Sequence, residues 1–398
     1  MARRNGGFVG QDGLDAPDPP TGVAASGGTD GVASISFTAP TDTGTSAITA
    51  FSAVSSTGFG GTSTSSPISV TGLTLGTAAT FRAYAVNAYG TSAASDVTSA
   101  VTPAASRGVF GGGLAGTTYL DVMDFITIAT TGNATDFGNL TSGMRETAGA
   151  ASSTRGIFAG GYNGSGSPVT SNVIQFITIA SAGNATDFGN LSVARRLHSS
   201  GTSSSTRGVF GGGSAPSASD VIDYITIASA GNATDFGNLD AAKENGIGAA
   251  ASPTRAIFAG GQGGDSNVIQ YITIASTGNA TDFGDLQSNR ISVTGGGSST
   301  RAVFGGNESG GISDIMDYVT IATTGNGSDF GNLSVARNAA GGTSSSTRFV
   351  IGGGNSSGGD SDVMDYVTTA TTGNAADFGN LSAEKEQLSG CSNGHGGL

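Results

Sequence analysis

The side chains of this chain that could carry nucleophilic or zinc chemistry are few. The 398 residues hold two histidines, His198 and His395, and one cysteine, Cys391. Two histidines without supporting Cys or carboxylate ligands are too few for a zinc site. Cys391 and His395 could form a thiolate–imidazole pair, but no third group is present to orient it, and a small buried cysteine is the favoured interpretation. We therefore predict no catalytic residue, no metal ligand and no cofactor.

Acidic side chains, in contrast, recur at regular intervals. One set precedes Phe-Gly: Asp136, Asp187, Asp235, Asp282, Asp329 and Asp377. Carboxylates in a glycine-containing turn are ligands that calcium accepts. The same residues also stabilise turns by bonding their own backbone, and a sixfold recurrence favours that structural role. Ion pairing between these aspartates and six recurring arginines is a second structural hypothesis.

A further acidic set lies inside short apolar runs. It comprises Asp124, Asp223, Asp317 and Asp365, with Gln175 and Gln270 at the matching positions of two repeats. Glutamine can form hydrogen bonds but cannot exchange a proton, so this position is predicted to bond rather than to catalyse. Glycoside hydrolysis would need two unique acids in one cleft, and no repeat carries such a pair. We expect a protein that is not an enzyme.

These residues belong to a sixfold repeat of short strands. An arginine followed by apolar residues and a glycine pair recurs at Arg107, Arg155, Arg207, Arg255, Arg301 and Arg348, at intervals of 46 to 52 residues. Each repeat then holds an apolar run, a Gly/Asn/Asp turn with a short strand, and a segment of small residues. Four strands with a period near 50 and no helical periodicity indicate the blades of a β-propeller.

The glycine pairs and the aromatic residues of each unit resemble the kelch repeat. The pairs start at Gly112, Gly160, Gly212, Gly260, Gly305 and Gly353, and the aromatics are Phe125, Phe176, Tyr224, Tyr271, Tyr318 and Tyr366. A phenylalanine (Phe137 in the first unit) stands roughly where the kelch family has tryptophan. The resemblance implies that residues 105–398 form a six-bladed propeller whose small-residue strands line the axis. Because the last segment, residues 388–398, has no strand after it, we expect it to pair beside Arg107–Gly113 and close the ring.

Residues 17–104 resemble a fibronectin type III domain. Alternating segments such as Ala33–Phe37 and Phe81–Val86, separated by turn residues, predict a β-sandwich. Two positions depart from that family: Phe37 replaces its core tryptophan and Ala79 replaces its corner tyrosine. Residues 1–16 are predicted to be a short glycine-rich arm. The predicted fold class is all-β throughout.

Composition excludes several classes of partner. The net charge is −13, and a nucleic-acid site needs clustered Lys and Arg. No apolar run approaches the ~20 residues of a membrane helix, so we expect no membrane insertion. The start of the sequence does not read as a secretory signal.

The loops after the glycine pairs differ most between repeats, and variation on one face often marks a binding face. The best contact candidates there, by residue type, are Tyr119, Tyr162, Asn163, Gln262 and Glu308. Plain solvated loops are the competing interpretation.

A fibronectin-like module joined to a propeller resembles bacteriophage virion proteins. The resemblance implies a structural tail-fibre or head-surface protein, attached to other virion proteins through residues 1–16 and binding a host surface glycan or protein. The alternative is a bacterial cell-surface or secreted carbohydrate-binding adhesin.

Overall fold

The computed structural model describes residues 15–27, 30–164, 169–263 and 267–398. Within these residues the regular elements are antiparallel β-strands, so the fold class is all-β as predicted. The chain divides into two compact units, the first ending at Ala105 and the second running from Ser106 to Leu398. The predicted N-terminal arm falls almost wholly on residues 1–14, which lie outside the described residues.

The first unit contains two sheets. Its strands are β1 Thr21–Gly27, β2 Ala33–Thr38, β3 Ile48–Ser55, β4 Gly60–Ser63, β5 Ile68–Val70, β6 Phe81–Asn87 and β7 Gly90–Thr91. One sheet has the order β1-β2-β5 and the other β4-β3-β6-β7. Alternate residues of β2 and β6 are buried, because successive side chains of a strand point to opposite faces.

The buried faces of both sheets contribute to one apolar cluster. Phe37 from β2 and Phe51 from β3 contact each other with ring centroids 4.8 Å apart. Phe37 is 9% exposed, so it fills the core in spite of being smaller than tryptophan. Ala79 lies in a backbone bridge with Val101, which ties that stretch of chain without a tyrosine hydroxyl.

The second unit consists of four-stranded ladders and of accessory sheets with two or three short strands. Its strands are β8 Arg107–Gly111, β9 Leu114–Ala115, β10 Thr118–Tyr119, β11 Val122–Thr127, β12 Thr135–Asn139, β13 Ala148–Ala151, β14 Arg155–Ala159, β15 Val173–Thr178, β16 Thr186–Asn190, β17 Gly201–Ser203, β18 Arg207–Gly211, β19 Ser219–Thr226, β20 Thr234–Ala251, β21 Arg255–Gln262, β22 Val268–Thr273, β23 Thr281–Asp285, β24 Thr294–Gly297, β25 Arg301–Asn307, β26 Ser313–Thr320, β27 Ser328–Asn332, β28 Arg337–Asn338, β29 Gly341–Ser344, β30 Arg348–Gly352, β31 Asn355–Ser356, β32 Gly359–Asp360, β33 Val363–Thr368, β34 Ala376–Asn380 and β35 Ser389–Ser392.

Each repeat builds the same antiparallel ladder. The second sheet, for example, has the order β13-β14-β15-β16, with the small-residue strand at one edge and the Asp-Phe-Gly strand at the other. The long strand β20 belongs to two ladders, since its first part pairs with β19 and its last part with β21. The third and fourth sheets are therefore continuous and form one seven-stranded sheet.

The last strand belongs to the first sheet, whose order is β12-β11-β8-β35. Cys391 pairs with Val109 and Ser389 with Gly111, which is the pairing that the phase of the repeat predicts. Asn393 completes the edge, because its Oδ1 accepts a 2.7 Å hydrogen bond from the backbone N–H of Arg107. In the second repeat the hydroxyl of Ser152 accepts the equivalent bond from Arg155.

Neighbouring sheets are joined by the recurring arginines. Arg155 Nη1 donates to the carbonyl of Ala228 in the next sheet at 2.8 Å, and its guanidinium stacks 4.8 Å from the ring centre of Phe176 in its own sheet. Arg348 of the sixth sheet likewise donates to Ala129 of the first at 2.9 Å. The hypothesis that these arginines pair with the Asp-Phe-Gly aspartates is wrong. These arginines donate instead to backbone carbonyls of the next sheet.

The small-residue strands approach one another closely. A Cβ on Gly149 would overlap the carbonyl of Gly390, and one on Gly390 would overlap the carbonyl of Gly342. Strand β35 contacts both β13 and β29, which belong to the second and sixth sheets. Bulky side chains are therefore excluded from these strands, as predicted from their composition.

Candidate functional site

Six residues that occupy equivalent positions before the small-residue strands have left-handed backbone conformations. These rim residues, with φ between 40° and 57°, are Glu146, His198, Asn245, Ser292, Ala339 and Gln387. Backbone hydrogen bonds connect them: Glu146 N–H donates to the carbonyl of Gln387, and Gln387 N–H to that of Ala339, at 2.8 and 2.7 Å. A left-handed conformation costs a non-glycine residue about 1 kcal/mol or more, so the surrounding framework must hold each one in place.

A residue just before the rim residue is tied to a loop of the next repeat: Arg145 lies one position before Glu146, and Arg196 two positions before His198. Arg145 and Tyr162 exchange two backbone hydrogen bonds of 3.0 and 2.9 Å, and Arg196 and Ser214 do the same at 3.0 and 2.9 Å. Because both partners are fixed by their backbones, their side chains start from well-defined positions. Their side chains differ from repeat to repeat while the backbone pattern recurs.

An Arg–Tyr cluster lies where the first three sheets meet. We define it as Tyr119, Tyr162, Arg145, Arg196 and Glu146. The two tyrosine rings are 5.8 Å apart with an interplanar angle of 49°. The guanidinium carbons of Arg145 and Arg196 lie 5.0 and 5.4 Å from the ring centre of Tyr162. Both arginines share the carboxylate of Glu146, at N–O distances of 3.6 and 3.5 Å.

Within the Arg–Tyr cluster two guanidinium groups face one carboxylate, and Glu386, outside the cluster, also interacts electrostatically with Arg145. The faces of the two tyrosine rings attract these cations. Arg145 Nη1 is held at 2.8 Å by Gln387 Oε1 and Arg196 Nη2 at 3.4 Å by Ser214 Oγ. Within the described residues no acceptor is bonded to Arg145 Nη2 or Arg196 Nη1.

Three carboxylates lie in or beside the loops of the fifth and sixth sheets. We call Glu308, Asp360 and Glu386 the acidic group. The exposed Glu308 accepts a 2.8 Å hydrogen bond from the hydroxyl of the rim residue Ser292. Burial, together with the nearby carboxylates of Asp360 and Glu308, raises the pKa of Glu386, while Arg145 opposes that rise. Asp360 Oδ2 also accepts a 2.7 Å bond from Gly116 N–H, which ties the loops of the sixth and first sheets together.

The structure brings together some of the residues predicted to contact a ligand. Tyr119 and Tyr162 belong to the Arg–Tyr cluster, and Glu308 lies on the acidic side. Gln262 Oε1 accepts a hydrogen bond from the side chain of Asn245, a rim residue. Asn163 donates its backbone N–H to the carbonyl of Val169 within its own loop.

The charged members of the site were not predicted from the sequence. Arg145, Arg196 and Glu146 lie just before the small-residue strands rather than in the loops after the glycine pairs. A signal for them exists: besides the loops after the glycine pairs, the repeats also differ at this segment, as in Met144–Glu146, Arg195–His198 and Arg290–Ser292. In a repetitive chain, the position where the side chains stop repeating is the informative one.

His198 is a rim residue and is 6% exposed. Burial lowers its pKa, while the carboxylates of Glu146 and Glu308 act in the opposite direction. A neutral imidazole is therefore the form that the site holds at neutral pH.

Cys391 and His395 lie at the small-residue strands, which line a cavity of about 50 Å³. His395 Nδ1 accepts the N–H of Gly397 at 3.1 Å, so its Nε2 carries the proton and donates to the carbonyl of Ala151 at 2.9 Å. Burial raises the pKa of the Cys391 thiol to about 12 and lowers that of His395 to about 4. A protonated thiol and an imidazole committed to two backbone bonds do not make an activated nucleophile.

The recurring acids have structural partners. Asp223 forms a fully buried ion pair with Arg195 at 2.7 Å, and Asp124 forms one with Lys385 at 2.6 Å. Where glutamine replaces the acid, its Oε1 accepts a backbone N–H instead, as Gln175 does from Thr141 at 2.7 Å. The prediction of a hydrogen-bonding role is confirmed at this position.

The Asp-Phe-Gly aspartates behave as turn residues in two repeats. Asp329 and Asp377 each accept the N–H of the glycine two residues on, at 3.2 Å. Among the described residues, no cluster of three or more His, Cys, Asp or Glu side chains could hold a metal ion. The described part also contains no helix long and apolar enough to cross a membrane.

Comparison with known proteins gives little. No family model and no curated protein matches the chain. Among solved structures, the crystal structure of domains A168–A170 from titin is similar to 23% of this chain, at 26% identity and a TM-score of 0.22. This chain covers 33% of that titin fragment.

Proposed function

We propose that the second unit is a six-bladed β-propeller closed by its C-terminal strand, and that the first is a fibronectin type III-like β-sandwich. The pairing of β35 with β8 and the bond from Arg348 to Ala129 support the propeller, because they join the last repeat to the first. The shared apolar cluster of two small antiparallel sheets supports the sandwich.

We propose further that the chain is a non-enzymatic adhesion module. One observation carries this: at backbone positions that recur in every repeat, the side chains on and around the rim residues differ, and most of them are polar or aromatic. A fixed framework that presents varied side chains on one set of loops is how many proteins build a binding surface. Such a module would bind a glycan or protein on a host cell surface.

The virion placement follows from the resemblance of this module pair to phage structural proteins. The module would stand on the particle surface, on a tail fibre or on the head, attached through residues 1–16 to other virion proteins. Mass spectrometry of purified particles from the strain that encodes this chain tests the placement. Detection of the chain at a fixed copy number supports it; absence from the particles leaves the bacterial surface adhesin as the alternative.

Binding itself is tested with the full chain and purified bacterial surface polysaccharides on a sensor surface, and with intact bacteria. The proposal expects saturable binding that the double variant Tyr119→Ala/Tyr162→Ala loses. The double variant Tyr84→Ala/Tyr89→Ala in the first unit is the matched control and should bind normally. Wild-type protein that adheres to no polysaccharide and no cell surface would contradict the adhesin function.

A further inference from the structure

The Arg–Tyr cluster is chemically suited to one class of glycan. Its two guanidinium groups both lie close to the Tyr162 ring, and guanidinium forks match the geometry of a carboxylate. The Tyr119 ring is half-buried against Tyr162, the Arg145 guanidinium and Gly164, and the part that stays exposed gives a sugar ring an apolar surface to pack on. Within the cluster, Glu146 neutralises one of the two guanidinium charges. An anionic group beside Arg145 and Arg196 would neutralise the other.

We propose that the Arg–Tyr cluster binds an acidic saccharide through its carboxylate, an inference that rests on the proposed adhesin function. The carboxylate of a uronate-type sugar lies between Arg145 and Arg196, and its ring lies on Tyr119. The hydroxyl groups on the far side point toward Glu308 and Glu386, whose oxygens accept hydrogen bonds. The opposite orientation would place the ligand carboxylate beside the acidic group that already raises the pKa of Glu386.

Contacts within the protein fix the positions of the arginines before a ligand binds, which supports this assignment. Arg145 is fixed by two backbone bonds to Tyr162, by Gln387 and by Glu146. Arg196 is fixed by two backbone bonds to Ser214 and by Glu146. Preorganised side chains lose little conformational entropy on binding, so a small contact area can still give measurable affinity.

The net charge of the protein gives a second expectation, which concerns how binding depends on salt concentration. At a net charge of −13 the protein repels an anionic polysaccharide at long range, so attraction must come from direct contact with the two arginines. Raising the salt concentration screens the long-range repulsion as well as the exposed contact. Binding should therefore depend on salt less steeply than binding by a basic protein would.

The test compares matched ligands on the full chain. The probes are a polyuronate oligosaccharide, the same oligosaccharide with its carboxyl groups reduced to alcohols, and polyglutamate. Calorimetric titration should show binding of the uronate. Arg145→Gln and Arg196→Gln should each weaken it by about ten-fold or more, the loss expected for a charge-assisted hydrogen bond. The reduced sugar should bind all three proteins equally weakly, and polyglutamate should not compete.

The control variant is Glu244→Gln, which changes a charge at the matching backbone position of the third repeat. It should bind the uronate as the wild type does. Thermal unfolding of each variant separates a lost contact from a lost fold. If Arg145→Gln is unstable, Arg196→Gln provides the test alone, because Arg196 bonds no rim residue of the sixth repeat.

Equal affinity for the uronate and its reduced form would overturn the inference, as would unchanged uronate binding by stable Arg196→Gln, or preferential capture of polyglutamate. Adhesion of the same variants to intact bacteria distinguishes the two proposals. Adhesion that is kept in Arg196→Gln but lost in Tyr119→Ala/Tyr162→Ala overturns the acidic-saccharide inference and leaves the adhesin function standing. Wild-type protein that does not adhere contradicts the adhesin function itself.

Discussion

At the scale of the residue, burial decides which ionisable groups can respond to pH. His395 lies among small neutral side chains, and the cavity lining contains no carboxylate that could stabilise an imidazolium. Protonation would also break the hydrogen bond that Nδ1 accepts from Gly397. Folding therefore favours the neutral form, which is the physical reason for the lowered pKa of about 4.

This gives a pH dependence with a definite sign. Above pH ~6.5 His395 is neutral in both the folded and unfolded states and has no effect on stability. As the pH falls from ~6.5 to ~4, the unfolded chain takes up a proton that the folded chain refuses, and up to ~3 kcal/mol of stability is lost. Denaturant unfolding of wild type and His395→Gln over this pH range should show the difference. Parallel stability curves would contradict it.

The buried ion pairs also make a residue-scale prediction, because the chain contains its own control. Arg195 and Asp223 in one repeat boundary correspond to Met144 and Gln175 in another. Arg195→Met alone leaves the buried carboxylate of Asp223 without a cation, with only the two hydrogen bonds from Ser192, and should lower the free energy of unfolding by ~3–5 kcal/mol.

The double variant Arg195→Met/Asp223→Gln recreates the natural Met–Gln arrangement and should recover most of that loss. Chemical denaturation of wild type, the single variant and the double variant measures both changes in one cycle. A double variant no more stable than Arg195→Met would show that the ion pair cannot be exchanged for its uncharged counterpart.

At the scale of the element, the sequence predicts more about strands than about side-chain partners. Glycine pairs, alternating apolar residues and small-residue segments define the ladders, and these patterns depend on local chemistry that is visible in one repeat. The sequence predicts the positions of the arginines that join neighbouring sheets, but not the groups that they bind. The carbonyls of Ile227 and Ala228 that Arg155 binds belong to the next repeat and carry no side-chain signature.

The sequence predicts only part of the candidate site, because only some of its residues stand out within a single repeat. Residue type in the variable loops indicates Tyr119 and Tyr162. Arg145 and Arg196 were missed because they lie in the segment before the small-residue strand, where the left-handed rim conformation of a non-glycine residue has no reliable sequence signal.

Deleting residues 388–398 is the element-scale prediction. The deletion removes β35 and Asn393, leaves β8 with an open edge, and takes Cys391 out of the apolar cluster that it shares with Val109. Thermal unfolding of the second unit should shift downward as a whole rather than lose a tail. The control deletes residues 396–398 alone, which keeps β35 and Asn393 and should have a smaller effect. A 388–398 deletion that melts like the full chain would contradict the role of the strand.

At the scale of the whole molecule, the repeats provide stability and the exceptions to repetition provide specificity. Hydrogen bonds join each sheet to the next. Asn190 N–H, for example, donates to the side chain of Asn232, and Asn380 N–H of the sixth sheet donates in the same way to Asn133 of the first. Stability shared among equivalent interfaces lets individual rim positions vary. This is why Glu146, His198 and Gln387 can differ on one backbone framework.

The last strand completes the first sheet, and we expect this pairing to hold the rim residues in place. Hydrogen exchange of the intact protein, followed by mass spectrometry, tests it most directly. Peptides that cover Ser389–Ser392 should exchange as slowly as those that cover Ala148–Ala151, the equivalent strand of the second sheet. Exchange of Ser389–Ser392 within seconds, at the rate of an unstructured peptide, would contradict the account.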